Sequence, residues 1–319
     1  MSLIHRLETW LADPAITDIC IHGPQRTFID RGQGMEAQLP SLDASTESHR
    51  LKSWTLDQLS KAGKSWDARS PFIDAPLEPS HRLHVVFPPI AGTELALSIR
   101  RLGRSHSASS NERWASNSVA FQTLKQAVER QETILISGST GSGKTTLLND
   151  LLAFAAPEER LLAIEDTPEL FPQHPHFLSL LSRPPNADGF GEVTIRTLLK
   201  QSLRMRPDRI LVGECRGAEV LEFLQVLNTG HRGSLATIHA NSARDALRRL
   251  ELLCLLSAPE SVSISALREW IASGIQWVAY VERSPKAGRR IQEVARLQGI
   301  EAGTILLRPV LDAGARTVV

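Results

Sequence analysis

Apolar residues recur along this 319-residue chain in two rhythms, and the change between them divides it. Over residues 1–103, short alternating runs are mixed with amphipathic ones. Residues 3–12 carry a helical spacing. Ile16–His22 and Thr27–Asp30 alternate on either side of Gly23-Pro24, which predicts a β-hairpin. Leu51, Trp54, Leu56 and Leu59 in a polar background predict a helix over 47–62, closed by Gly63. Leu83–Phe87 and Glu94–Ile99 predict two more strands, separated by Pro88-Pro89 and Ala91-Gly92. The sum is a small α+β domain. Arg104–Ser118 is polar and serine-rich, as expected of a linker.

From Val119 onward the rhythm alternates between helical and apolar strand-like runs. Phe121–Arg130, Leu147–Phe154, Ile195–Arg204 and Val220–Leu227 have helical spacing; Ile134–Ser137, Leu161–Glu165, Ile210–Gly213 and Leu235–His239 read as buried strands. Such alternation predicts an α/β domain over 119–319, with right-handed crossovers on a parallel-rich twisted sheet. Ligands of such sheets bind beyond the carboxyl ends of the strands. Within 255–319, Ser284–Arg290 separates two β-like runs, which predicts a terminal hairpin and little else. Neither an internal repeat nor a coiled coil is visible.

Composition narrows the picture. A hydrophobic share of 42% with 22% charged residues is ordinary for a soluble globular chain long enough for two domains. The balance of 36 basic and 35 acidic residues, net +1, argues against a dedicated nucleic-acid binder and leaves room only for local basic patches. Cys20, Cys215 and Cys254 are widely spaced and match no zinc pattern, so they read as buried thiols in a reducing compartment. Glu8 and Asp13 interrupt the N-terminus, which therefore does not resemble a signal peptide, and no run is long enough to span a bilayer. The expected location is cytoplasmic, with any membrane role exercised through a partner.

Chemistry enters where Ile134–Ser137 runs into Gly138, Ser139, Thr140, Gly141, Ser142, Gly143, Lys144, Thr145 and Thr146. This is the complete G-x-x-x-x-G-K-[ST] phosphate-binding loop, in the strand-then-helix context it requires. Its glycines let successive N–H groups turn toward phosphate oxygens, and the following helix adds its positive end. Lys144 is placed for the β- and γ-phosphates of a nucleotide such as ATP, and the Thr145 hydroxyl for Mg2+.

Further candidates stand at the other strand ends. Glu214 closes an apolar strand and reads either as a carboxylate that orients water or holds magnesium, or as a surface charge. Glu165, Asp166 and Glu169 follow another strand; each either serves the site or caps a following helix. His231 and His239 lack a third ligand for a metal centre, and a contact to the nucleotide or its magnesium waters fits them better.

These segments resemble a known family. Ile164–Leu170, Ser202–Gly217 and Asn228–Ser242 are similar to the signatures of type II/type IV secretion ATPases. Gly189–Arg196 and Asp245–Glu251 extend the similarity toward the CpaF-like branch that powers tight-adherence (Flp-type) pili. Together with the N-terminal hairpin, Ser80–Pro89 and Leu97–Arg100, the resemblance covers most of the chain.

The resemblance implies a RecA-like P-loop NTPase domain preceded by a PAS-like, sensor-type α+β domain. It also implies a homo-hexamer at the cytoplasmic face of the inner membrane, working with membrane-embedded pilus or secretion platform proteins and without direct nucleic acid. It places Lys144 and Thr145 in the Walker A roles and Glu214 as the Walker B carboxylate. Glu165, Asp166 and Glu169 fall in the Asp box, with Glu169 joining Thr145 and Glu214 near the metal, and His231 and His239 in the His box. Arg82, Arg100, Arg196 and Arg204 match arginines that family members bring to the phosphates across domain or subunit boundaries; each also reads as a solvated charge or an ion-pair partner. Members of the CpaF-like branch commonly carry an N-terminal extension, whereas this chain begins almost at the sensor-type domain. Ser137–Gly141 stands where that branch usually has a glycine pair, a change that leaves the phosphate cradle intact.

The expected activity is ATP hydrolysis coupled to pilus assembly, retraction or secretion of a protein substrate. Within the same class, a conjugation or effector-secretion ATPase is the alternative. A nucleic-acid translocase and a nucleotide-binding regulator with little turnover are the alternatives from other classes. The near-neutral charge counts against the first of these, and Lys144 with Glu214 against the second.

Overall fold

The computed structural model describes residues 2–32, 34–41, 43–68, 71–77, 80–102, 114, 118–185, 189–259, 262–284 and 288–312. The chain divides into two compact units, Met1–His106 with Asn186–Phe190, and Ser107–Pro185 with Gly191–Val319.

In the first unit, helix α1 (Leu3–Ala12) buries Leu3, Leu7 and Trp10, one stripe of a 3.6-residue period. Its first turn is held from the side, because the buried Glu47 carboxylate on α2 (Ala44–Lys61) accepts the Leu3 N–H at 2.7 Å. Strands β1 (Asp18–His22), β2 (Thr27–Asp30), β3 (Met35–Ala37), β4 (Phe72–Leu77), β5 (His81–Val86) and β6 (Ala96–Arg101) form an antiparallel sheet in the order β3-β2-β1-β6-β5-β4. Ile19, Ile21, Leu83, Val85, Leu97 and Ile99 alternate inward, onto the core shared with the two helices. The opposite face carries Asp18, Asp74, Arg82, His84 and Arg100.

The second unit contains α3 (Ser118–Glu129), β7 (Ile134–Gly138), α4 (Lys144–Leu152), β8 (Leu161–Glu165), β9 (Phe177–Leu181), α5 (Ile195–Ser202), β10 (Arg209–Cys215), α6 (Glu219–Asn228) and β11 (Leu235–Ile238). They are followed by α7 (Ala243–Ser257), α8 (Ile264–Gly274), β12 (Trp277–Ser284), β13 (Gly288–Glu301) and β14 (Thr304–Asp312). The eight-stranded sheet runs β14-β13-β12-β7-β11-β10-β8-β9. From β12 to β9 every pairing is parallel, and β13 and β14 join antiparallel at one edge. Helices cover both faces: Ile134 and Ile136 of β7 point into a core with α3 and α4, and Leu135 into another with α5 to α8. Burial on both faces is why these strands read as unbroken apolar runs.

Several elements depart from the expectation, among them β3 and α7, which it did not include. The segment 255–319 holds a helix and three strands, not a hairpin alone. Leu267, Ile271 and Gly274 form the buried stripe of α8, and Trp277–Val281 is a buried strand next to β7. β4 was hidden by Pro76, which sheets tolerate at an edge such as this one. β9 is also an edge strand and lacks a regular alternation of burial. Of the expected linker 104–118, only Trp114 and Ser118 fall among the described residues. Trp114 is buried against Phe121, and its indole N–H donates to Asp150 at 2.8 Å.

The amino ends of the strands are tied by a buried ion pair. Arg209, 1% exposed, forks onto Glu159 at 2.9 and 3.0 Å and donates to the carbonyls of Val128 at 2.9 Å and Gly233 at 3.3 Å. One side chain thus fastens the start of β10 to the end of α3 and to the turns before β8 and β11. Gly233 has a φ of +75°, and a Cβ there would stand 2.9 Å from Arg209 Nη1, so glycine admits the guanidinium. Removing one partner of such a pair strands the other charge in the core. Arg209→Ala is therefore expected to cost about 3–5 kcal/mol by urea denaturation. Arg31→Ala, at a half-exposed pair with Asp13, is expected to stay within about 0.5 kcal/mol of the parent.

Candidate functional site

β7 delivers the chain to the carboxyl edge of the sheet, where Gly138 must pass close to β12. A Cβ at Gly138 would lie 2.3 Å from the Val281 carbonyl and 2.4 Å from Ser142 Oγ. The chain then curls through exposed Ser139, Thr140 and Gly141, past buried Ser142 and into α4. The N-cap of α4 is Gly143, with φ +104° and no side-chain cap. Leu147 N to Gly143 O, 2.9 Å, is the first bond of the helix, so the N–H groups of Lys144, Thr145 and Thr146 precede the ladder. An uncapped helix start with a glycine approach is a site for an anion.

Lys144 is buried over this loop. Its Nζ donates to the carbonyls of Gly138 at 3.0 Å and Ser139 at 2.9 Å, and lies 3.2 Å from His239 Nδ1. Burial lowers its pKa, while the carboxylates of Glu214 and Glu169 pull the other way and favour the ammonium. His239 follows β11 directly, and its Nε2 lies 2.5 Å from Glu214 Oε1. Glu214 Oε1 is buried, and among the described residues this close contact with the imidazole is an ion pair to which no hydrogen bond is assigned. The other oxygen, Oε2, is gripped by Arg216, with Nε at 2.8 Å; Arg216 also reaches Asp166 at 3.6 Å. Ser182 donates to Asp166 at 2.6 Å.

A second chain of contacts runs from Thr145. Its hydroxyl donates to Glu169 Oε2 at 3.2 Å. The Glu169 and Leu170 N–H groups, each at 2.9 Å, in turn bond Glu165 Oε1, and Ser179 donates to Glu165 Oε2 at 2.7 Å. Glu165 therefore shapes the turn after β8 that presents Glu169; no helix follows for it to cap.

The predicted residues do not all converge. Residues 138–146, Glu165, Asp166, Glu169, Glu214 and His239 gather at the carboxyl ends of the strands. His231 lies before β11, at the amino end of the sheet, with Nδ1 3.3 Å from the Val226 carbonyl. Arg204 lies between the end of α5 and the start of β10, also at the amino end; its nearest acceptors, Lys200 O and Gln201 Oε1, are at 3.5 Å. Arg196 binds the buried carboxylate of Glu222 at 2.6 Å. In the first unit, Arg82 pairs with Asp74 at 3.0 Å and Arg100 with Asp18 at 2.8 Å. Arg216 was missed, although Glu-Cys-Arg at a strand end sets two like-facing positions two residues apart, a legible signal.

A bound magnesium ion would supply charge neutralisation at the phosphates, and this donor set suits it. Such an ion takes one or two protein oxygens and fills its shell with phosphate and water. Thr145 and Glu169 offer hard oxygens beside the loop, and the buried Glu214 Oε1 would be an acceptor for a water in that shell. No group of three or more His, Cys, Asp or Glu among the described residues makes a separate metal site.

Fold and site define the class: an α/β protein whose glycine-rich loop leads into an uncapped helix at the carboxyl edge of a parallel sheet. Comparison narrows it. The family described as Type II/IV secretion system protein matches residues 69–278, and the chain belongs to that family. It is 36% identical over 304 residues to Rv3659c of Mycobacterium tuberculosis, whose name assigns it to conjugal transfer, with 92% of this chain and 84% of that one covered. It is 34% identical over 313 residues to the conjugal transfer protein TrbB of Rhizobium radiobacter, covering 93% and 88%. Among solved structures, the VirB11 ATPase of the Brucella suis type IV secretion system, in complex with sulphate, aligns with a TM-score of 0.51 and 29% identity over 92% of this chain and 93% of that one. These names speak of conjugation and type IV secretion, which favours that branch over tight-adherence pili. Among the described residues, no helix is long and apolar enough to cross a membrane.

Burial, at 2% exposure, pushes the Glu165 carboxyl up to about 7 from an ordinary 4.5, against the hydrogen bonds it accepts. The folded chain thus keeps a proton that the unfolded chain releases above about 4.5. The contribution to stability is full below that pH and is lost as pH rises toward 7. Glu165→Gln cannot ionise, so relative to the parent it should gain about 2–3 kcal/mol between pH ~5 and ~8 in urea midpoints. A difference that stays flat with pH would show that the shift does not belong to Glu165.

Proposed function

We propose that this chain hydrolyses ATP with magnesium as a motor subunit of a conjugation or type IV secretion apparatus. The observation that carries the reading is the convergence of Lys144, Thr145, Glu169, Glu214 and His239 on the uncapped start of α4, in a chain of this family. We read residues 119–319 as a RecA-like ATPase domain, 1–103 as a PAS-like domain and 104–118 as the connection between them.

The loop N–H groups and Lys144 hold the β- and γ-phosphates, and to do so Lys144 exchanges its bonds to Gly138 O and Ser139 O for phosphate oxygens. Thr145 and Glu169 serve the metal shell. Glu214 Oε1, buried and facing His239, orients the attacking water and accepts its proton; Arg216 holds the other oxygen so that the carboxylate cannot rotate away. His239 stands between Lys144 and Glu214 and reports the state of one to the other. Glu165 and Asp166 position the turn that carries Glu169.

The arginines enter as charges brought to the phosphates of a neighbouring subunit's site. Arg204 supports the trans assignment, because in its own chain it lies at the wrong end of the sheet. Arg82, Arg100 and Arg196 would each exchange a present carboxylate partner for phosphate, which ties closure to nucleotide. The working assembly in this reading is a homo-hexamer on the cytoplasmic side of the inner membrane, engaging platform proteins and not nucleic acid.

The second reading, a Flp-type pilus motor, is favoured by the segments Gly189–Arg196 and Asp245–Glu251. Neighbouring genes for a pilin and two polytopic membrane proteins would support it over conjugation.

Magnesium-dependent ATP turnover on size-fractionated protein tests the proposal. Activity is expected in a hexamer-sized fraction, falling roughly a hundredfold or more in Lys144→Ala and in Glu214→Gln. Tight ATP binding without turnover in any fraction would turn the reading to a regulatory nucleotide-binding module.

A further inference from the structure

The hairpin of β12 and β13 brings another cation to the loop. β12 runs beside β7 as far as Val281, opposite Gly138, and the returning strand sets Arg289 opposite Arg283. From there the Arg289 side chain crosses the first turn of α4. Its Cδ lies 2.7 Å from where a Cβ on Gly143 would stand, and its Nη1 donates to Thr146 Oγ1 at 3.3 Å. The absence of a Cβ at Gly143 is what lets the arginine lie against the loop.

The direction of the loop says what this cation faces. In the reading above Lys144 would serve the β- and γ-phosphates and Thr145 the metal shell; the next open donor along the turn is the Thr146 N–H, which also precedes the first helical bond and would meet the next phosphate. The α-phosphate and the nucleoside beyond it therefore fall at the Thr146 end of the turn, where the guanidinium lies. A guanidinium carries its donors in a fork, so a bond to the Thr146 hydroxyl is compatible with one to a phosphate oxygen.

Building on the nucleotide reading above, we propose that Arg289 is a nucleotide-contact residue, supplied in cis by the C-terminal hairpin and directed at the α-phosphate of ATP and ADP. Its role differs from that of Lys144. The α-phosphate is unchanged by hydrolysis, so this contact strengthens substrate and product equally and leaves its mark on KM instead of kcat. It also makes the C-terminal hairpin part of the nucleotide site.

The test is calorimetric titration of the full-length chain with ADP, for the parent, Arg289→Gln and Arg289→Lys, alongside steady-state ATP turnover and melting without nucleotide. Arg289→Gln is expected to raise the ADP Kd about tenfold and the KM for ATP by the same factor. Arg289→Lys keeps the charge but loses the fork, and should weaken ADP roughly threefold. If Arg289→Gln does not fold, the lysine variant decides alone. ADP affinity within about twofold of a binding parent in the folded variants, or a loss confined to kcat, overturns the proposal. A parent that binds no ADP sinks the nucleotide reading itself, an outcome distinct from equal binding by parent and variants.

Discussion

A parallel strand buried on both faces can show polar groups to a ligand only at its ends. That constraint organises the second unit. Ile134, Leu135 and Ile136 are committed to two cores at once, as are Ile210, Leu211 and Val212, so nothing along these strands is available for chemistry. The polar residues collect where the cores stop, and the two ends divide the work. The amino end is closed by Arg209 and Glu159, a pair satisfied on nearly every donor and acceptor. The carboxyl end is left open, with an uncapped helix start beside the His239–Glu214 contact.

The two ends illustrate opposite uses of burial. Around Arg209, desolvation is offset by bidentate geometry and backbone carbonyls, and the outcome is rigidity. Around Lys144, desolvation works against the ammonium, which is held by loop carbonyls and favoured by the carboxylates of Glu214 on β10 and Glu169 in the turn after β8. Such bonds can be exchanged for others without uncovering an apolar core. Arg216 combines both modes: it is fixed on Glu214 yet half-exposed, and it links β10 to the turn after β8 through Asp166.

Much of this was readable in the chain. Doubly buried strands announce themselves as apolar runs, and the loop 138–146 is written in residue types that serve nothing else so well. Glu165, Glu214 and His239 were legible because each directly follows or closes such a run. What escaped was whatever depends on pairing across long separations. Trp277–Val281 looks like any short apolar stretch until it is laid beside β7, and Arg289 has no local feature that directs it to Thr146. His231 and His239 belong to one motif, yet a four-residue strand lies between their ends of the sheet. Spacing along the sequence does not say which end a residue occupies until the direction of the strand is known.

The place of β12 has a consequence for how the molecule comes into being. The strand that ends in the glycine-rich loop is flanked on one side by residues made more than a hundred positions later: Ser137 donates to the Ala279 carbonyl, and Gly138 packs under that of Val281. During vectorial synthesis, the loop emerges from the ribosome long before its neighbouring strand exists. Until that strand arrives, β7 is an edge, and the turn that begins at Gly138 lacks the wall against which it is shaped. The order of strands thus works as a timer, deferring the finished loop until the chain has been made as far as Val281.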